Sequence, residues 1–193
     1  MIGPILETER LQLRPPRPDD FESWARMVAD PVATRFLGGP QCRSAAWRNI
    51  CVFTGAWIVR GFSNFSIIEK ATGRWIGRAG PWQPEGWPGT EVGWALDRSA
   101  WGKGYATEAA ARCIDWAFEN LGWIEVIHVI NPANKASVSV ALRLGSQRRG
   151  STPLPWPFET VTADIYAQDR PKWCARSAGL DLASRPTGRP PDS

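Results

Sequence analysis

Trp101-Gly102-Lys103-Gly104-Tyr105-Ala106-Thr107-Glu108-Ala109 joins the strand-like Glu91-Val92-Gly93-Trp94-Ala95-Leu96 to an alanine-rich helical run. A glycine-bearing loop that opens a helix presents backbone N–H groups with no partner inside the helix, at the positive end of the helix dipole. The two glycines let main chain approach a bulky anion with no Cβ in between. Such a turn binds phosphate, so a cofactor carrying a pyrophosphate is the first hypothesis.

Other phosphate loops fit less well. A Walker loop ends in Gly-Lys-Ser/Thr, whereas Lys103 stands between the glycines and is followed by Gly104 and Tyr105, leaving no hydroxyl for magnesium. The dinucleotide fingerprint requires Gly or Ala three residues after Gly104, where this chain has Thr107. Glu125, at about the right distance for a ribose ligand, falls at the start of the next strand rather than at its end. A strand-to-helix turn with no ligand is the plain alternative, since turns use glycine routinely.

Outward from the loop, apolar periodicity orders the chain. Leu11 and Leu13 alternate like a half-buried strand. Pro15 to Asp20 supplies a turn and a helix N-cap before Phe21, Trp24, Met27 and Val28 at helical spacing. A second helix is expected from Ser44 to Val59, through Trp47, Ile50, Cys51 and Trp57. Phe62 to Glu69 and Trp75 to Gly80 read as strands joined by a turn at Lys70-Ala71-Thr72-Gly73, and Pro81 to Gly89 is a loop. After the glycine loop, a helix from about Ala106 to Asn120 is stopped by Gly122, and Ile124 to Ile130 returns as a strand. That strand–helix–strand crossover favours parallel pairing. Asn134 can cap a further helix through Leu144, ended by Gly145, and Ala163 to Ala167 offers a last strand. The expected class is α/β of the α+β kind: a mixed, mostly antiparallel sheet with one parallel pair.

The chain has 193 residues, enough for one domain with a sizeable core. Residues 1–175 form the expected domain. From Arg176 to Ser193 the composition turns to Pro, Gly, Ser and Arg without apolar periodicity, which predicts a mobile tail. No run approaches the roughly 18 apolar residues of a membrane span. The first ten residues carry Pro4, Glu7 and Glu9 rather than a basic segment followed by an apolar one, so a cytoplasmic address is expected. Cys42, Cys51, Cys113 and Cys174 are scattered without zinc or redox spacing and are expected as reduced packing thiols. The single histidine, His128, is expected to be a satisfied strand residue, and no metal site is expected. The net charge of +4 decides little, because several arginines lie in the final segment.

With Leu11-Gln12-Leu13-Arg14, Gly73-Arg74-Trp75-Ile76-Gly77, Asn134-Lys135-Ala136-Ser137 and Val140-Ala141-Leu142-Arg143-Leu144-Gly145 set around the loop in this order, the chain resembles the GNAT superfamily of acetyl-coenzyme A dependent N-acetyltransferases, closest to the ribosomal-protein alanine N-acetyltransferase type. The resemblance runs from about Leu6 to Trp173. One departure is Ser99, where the family loop begins with Gln or Arg. The resemblance implies a central pair of parallel strands that splay apart, with helices on both faces of the sheet. It also implies a pantetheine arm paired along Trp94, Ala95 and Leu96 in the manner of an added strand. The pyrophosphate would lie on Gly102, Lys103, Gly104, Tyr105, Ala106 and Thr107, with Asn134 on the pantetheine. An amine would attack the thioester directly in a ternary complex, and a strand N–H would stabilise the oxyanion.

The amine arrives as ammonium and needs a base. Glu91 is the candidate and Glu125 the runner-up; a solvent-facing, solubilising glutamate is the alternative for Glu91. Ser137 is the candidate acid for the departing thiolate, unless it is simply a polar residue of a first helical turn. Asn134 serves equally as N-cap. Lys103 either approaches phosphate or faces water, and Tyr105 packs at the helix start or lies over the cofactor. Trp82, Trp87, Trp156 and Phe158 are expected to cover the core, with the acceptor pocket as their alternative place. The acceptor is a primary amine, either a protein N-terminus or a small molecule. No nucleic acid or membrane partner is expected, and a homodimer is left open. A non-catalytic acyl-CoA sensor on the same fold is the competing function.

Overall fold

The computed structural model describes residues 2–155 and 158–175. The elements run β1 (Leu6–Glu7), β2 (Leu11–Arg14), a 3₁₀ turn (Pro18–Asp20), α1 (Phe21–Ala29), α2 (Arg43–Arg60), β3 (Phe65–Glu69), β4 (Arg74–Trp82), β5 (Glu91–Leu96), a second 3₁₀ turn (Arg98–Ala100), α3 (Tyr105–Asn120), β6 (Glu125–Ile130), α4 (Lys135–Arg143), β7 (Gln147–Pro153) and β8 (Thr162–Asp169). They build one eight-stranded sheet in the order β1-β2-β3-β4-β5-β6-β8-β7. All neighbours pair antiparallel except β5 and β6, which are parallel. The mixed, mostly antiparallel sheet is the architecture expected from the sequence.

Alternation along the strands gives the sheet two apolar faces. Val92 and Leu96 of β5 join Leu11, Leu13, Phe65, Ile67 and Ile76 in a cluster with Ala109, Ala110, Cys113, Ile114 and Ala117 of α3. Ala95 and Trp75 turn the other way, into a second cluster with Trp24, Met27 and Val28 of α1 and Ala46, Ile50 and Phe53 of α2. The stripe Ala46, Ile50, Phe53 and Trp57 carries α2 inward. Trp47 and Cys51, read from sequence as part of that face, lie outside it and are exposed.

Three further differences have local causes. The turn before α1 is 3₁₀ over Pro18–Asp20, and Asp20 makes no side-chain cap. Its carboxylate is taken by Arg14, at 2.7 and 2.8 Å, and by Ser66 Oγ at 2.7 Å. Edge strand β7 went unread because its residues are mostly exposed and lack apolar alternation; Arg148 ties it to Asp164 of β8. Of the four thiols only Cys113 packs in the core, the other three being exposed. No helix among the described residues is long and apolar enough to cross a membrane. The tail expected from Arg176 onward lies outside the described residues.

Candidate active site

β5 and β6 touch at a single register position, Glu91 against Ile127. Just below it Ile127 N–H donates to Thr90 O at 2.9 Å, and Thr90 Oγ1 donates to Glu125 O at 2.6 Å. Above it the strands part, and main-chain groups that would have paired need other partners. Side chains provide them: Val129 N–H donates to Glu91 Oε1 at 3.2 Å, and His128 Nδ1 lies 2.6 Å from Val92 O. A carbonyl only accepts, so Nδ1 carries the proton and Nε2 is left as an acceptor. The sheet therefore opens into a fork whose throat holds a carboxylate and an imidazole.

Glu91 is 8 % exposed, so the solubilising alternative does not hold. Burial pushes its carboxyl up to about 7, against the pull of the Val129 N–H, the Trp87 indole and the Arg78 charge. Trp87 Nε1 donates to Oε2 at 2.7 Å, which brings this loop aromatic to the site. Burial also lowers the His128 imidazole to about 4, keeping it neutral at ordinary pH. Among the described residues its Nε2 has no partner, contrary to the satisfied histidine expected from sequence.

A cavity of about 410 Å³ opens at the fork, and Glu91, Trp94, His128, Asn134 and Ser137 all line it. Asn134 caps α4 through Oδ1, which accepts from Ser137 N at 3.2 Å, so both residues belong to one helix end beside the cavity. Trp82, Trp87 and Phe158 also line it, on the side expected to be mere cover for the core; Trp156 lies outside the described residues. Glu125 is not brought there. Its carboxylate pairs with Arg149, so the fork presents Glu91 alone of the two candidate bases.

The glycine loop follows from the upper end of β5. Gly102 and Gly104 have φ of 75° and 80°, the left-handed region that disfavours a side chain. Gly104 is the N-cap of α3 with no side-chain cap, which leaves the first-turn amides from Tyr105 through Thr107 without intrahelical acceptors. A Cβ at Gly102 would meet nothing within 4 Å, so the approach to this turn is open. Arg10 steadies it, donating to Lys103 O at 2.9 Å while its charge pairs with Glu108. Tyr105 is buried, with its hydroxyl donating to Glu69 Oε1 at 2.7 Å; the Lys103 side chain is exposed. The turn thus offers main chain, not side chains, to an anion. No group of His, Cys, Asp or Glu that could hold a metal occurs among the described residues.

Residues 10–147 match the acetyltransferase (GNAT) domain family. The chain belongs to that family. This GNAT domain is 31% identical over 148 residues to an uncharacterized N-acetyltransferase, p20, of Bacillus licheniformis, covering 75% of this chain and 83% of the relative. It is 38% identical to YkkB of Bacillus subtilis over 87 residues, a match that spans 44% of this chain and 51% of that protein. Its fold is similar to the crystal structure of an acetyltransferase from Agrobacterium tumefaciens, with a TM-score of 0.77, 32% identity, and coverage of 86% and 95% of the two chains.

Among the residues of the GNAT cavity that went unread in the sequence are Arg78, Asn64 and Gln41. The available signal was a cation in the middle of the otherwise apolar Ile76-Gly77-Arg78-Ala79-Gly80, a place that rarely takes a charge without a reason.

Proposed function

We propose that this GNAT domain moves the acetyl group of acetyl-CoA to a primary amine by direct attack, with Glu91 as base. The observation that carries the reading is a buried carboxylate at the point where the only parallel strand pair of the described sheet separates. The strand that bears it leads, through the second 3₁₀ turn and the glycine loop, into a helix N-terminus with open amides. Acetyl-CoA would supply the activated acyl group. Gly102 to Thr107 would hold its pyrophosphate, the parted edge at Trp94, Ala95 and Leu96 would pair with its pantetheine, and Asn134 would touch that arm.

Glu91 has a proton affinity suited to its task, since a carboxylate with a pKa near 7 takes a proton from an ammonium far more readily than an ordinary one. The proton leaves the amine for Glu91, directly or through one water, as the nitrogen–carbon bond forms. The carbon–sulfur bond then breaks, and the thiolate takes a proton. Ser137, half-buried in the first turn of α4 and on the cavity wall, is placed to give it.

The test is to mix the protein with acetyl-CoA and a set of amines and follow free thiol, while measuring acetyl-CoA binding by calorimetry. Thiol release that depends on amine and on Glu91 is expected. Tight binding without release for any amine would instead make the protein an acyl-CoA sensor.

A further inference from the structure

Arg78 stands on the α1/α2 face of β4, opposite Ala95 of β5, and lines the same cavity as Glu91. Its guanidinium lies 4.2 Å from the Phe53 ring centroid, and among the described residues it makes no ion pair. One hydrogen bond holds it: Nη1 donates to Asn64 Oδ1 at 2.6 Å. Asn64 is itself fixed, because its amide nitrogen donates to Gly80 O at 3.1 Å and Pro81 O at 3.2 Å, which leaves only Oδ1 to face the arginine. Nε of Arg78 is buried with no acceptor. A guanidinium has five N–H donors in a planar fork, so most of this one's capacity is unused.

Arg78 is half-buried, but its Nε is wholly buried, and a buried donor without an acceptor costs free energy. Among the described residues none provides an acceptor for it. Glu91 attracts Arg78 at a distance but spends its two oxygens on Val129 and Trp87. Between Glu91 and Ala95, on the same face of β5, stands Gly93, which contributes no side chain to fill the gap. Two more orphaned atoms lie on the wall, Gln41 Oε1 and His128 Nε2, and both are acceptors. The cavity thus asks for a molecule that brings both an oxyanion and N–H donors, with an apolar body to lie against Phe53, Trp82 and Trp87.

We propose that the acceptor of this site is a free amino acid, its carboxylate held by Arg78 and its amine directed toward Glu91. This rests on the acetyltransferase reading and narrows it: a protein N-terminus has an amide where the free amino acid has its carboxylate. Asn64 is a positioning residue, acting through Arg78.

The probes are phenylalanine, leucine and 5-aminopentanoate, each against its own carboxamide. Thiol release from acetyl-CoA and binding to the CoA-saturated protein are measured in parallel, for wild type and for Arg78→Met. For at least one pair the acid should exceed the amide in kcat/KM and in affinity by on the order of 10- to 100-fold, the range for hydrogen bonds to charged groups. In Arg78→Met that ratio should collapse toward one while acetyl-CoA still binds. Amidation lowers the basicity of an α-amine, which by itself favours the amide, so a preference for the acid cannot come from the amine. Equal treatment of acid and amide by the wild type overturns the inference, whatever the variant does; so does a preference that survives in Arg78→Met. Thiol release without discrimination removes the amino acid and keeps the transferase. Arg78-dependent binding of acids without thiol release keeps the carboxylate site and removes the transferase.

Discussion

Glu91 is placed where burial and its proposed function pull the same way. A carboxyl raised to about 7 is part-ionised at neutral pH and strong enough as a base to matter. Glu91→Gln should leave acetyl-CoA affinity within about twofold and lower kcat by about 10²- to 10⁴-fold, the usual worth of general base catalysis. The wild-type rate should rise with pH through about 7, and the variant should lose that limb. The same residue predicts a stability signature that needs no turnover. The folded protein holds a proton on Glu91 that the unfolded chain gives up near 4.5, so this contribution is complete below about 4.5 and is lost as pH rises through about 7. Melting temperatures of wild type minus Glu91→Gln should therefore decline between those two pH values. A flat difference would mean the carboxyl is not raised.

The helix α3 owes its start to Gly104, at φ 80° and ψ 0°. Valine there would be forced into the left-handed region, a strain of about 1–3 kcal/mol, and would crowd the amides proposed to hold the pyrophosphate. Gly104→Val is expected to weaken acetyl-CoA binding on the order of 10- to 100-fold in calorimetry, with Glu91 chemistry untouched once the ligand is forced on at high concentration. Normal affinity would mean that the turn is not the pyrophosphate site. At the other edge of the sheet, Arg148 and Ser151 hydrogen-bond Asp164 and hold its carboxyl down to about 2. That contribution is present above the ordinary aspartate value of 3.8 and is lost as pH falls through about 2. Asp164→Asn should consequently melt lower than wild type at pH 6 and converge with it in strong acid.

Across the fold, Asp20 joins elements that the core alone does not align. Its carboxylate takes Arg14 of β2, Ser66 of β3 and the Arg17 N–H, and Trp75 of β4 reaches the same Ser66 at 3.0 Å. Asp20→Ala would leave a buried guanidinium unpaired, which costs about 3–5 kcal/mol. At roughly 2–4 °C per kcal/mol for a chain of this size, Tm should fall by on the order of 10 °C. A loss of only a degree or two would show that water reaches Arg14. Acetyl-CoA at saturating concentration should raise Tm in the wild type, as expected of a ligand that binds only the folded state, and raise it much less in Gly104→Val.

Local chemistry was enough to read the helices and most strands. Glycine at Gly104 and Gly145, Asn134 as a cap, and apolar residues at period two or near 3.6 act within a few positions of themselves, so their consequences are visible along the chain. The glycine turn and the parallel crossover were legible for the same reason, whereas Glu91 as candidate base came from the family resemblance. Edge strand β7 was not, because an exposed strand has no need of apolar alternation. What folding alone settled concerns residues far apart in sequence. Arg78 shares a cavity with Glu91 and His128 only because β4, β5 and β6 lie side by side and the last two separate after one pair, and Asn64 and Gln41 reach the same cavity from loops outside those strands. Burial, which raises one carboxyl and neutralises one imidazole, is a property of what surrounds a group in space, and no spacing of letters records it.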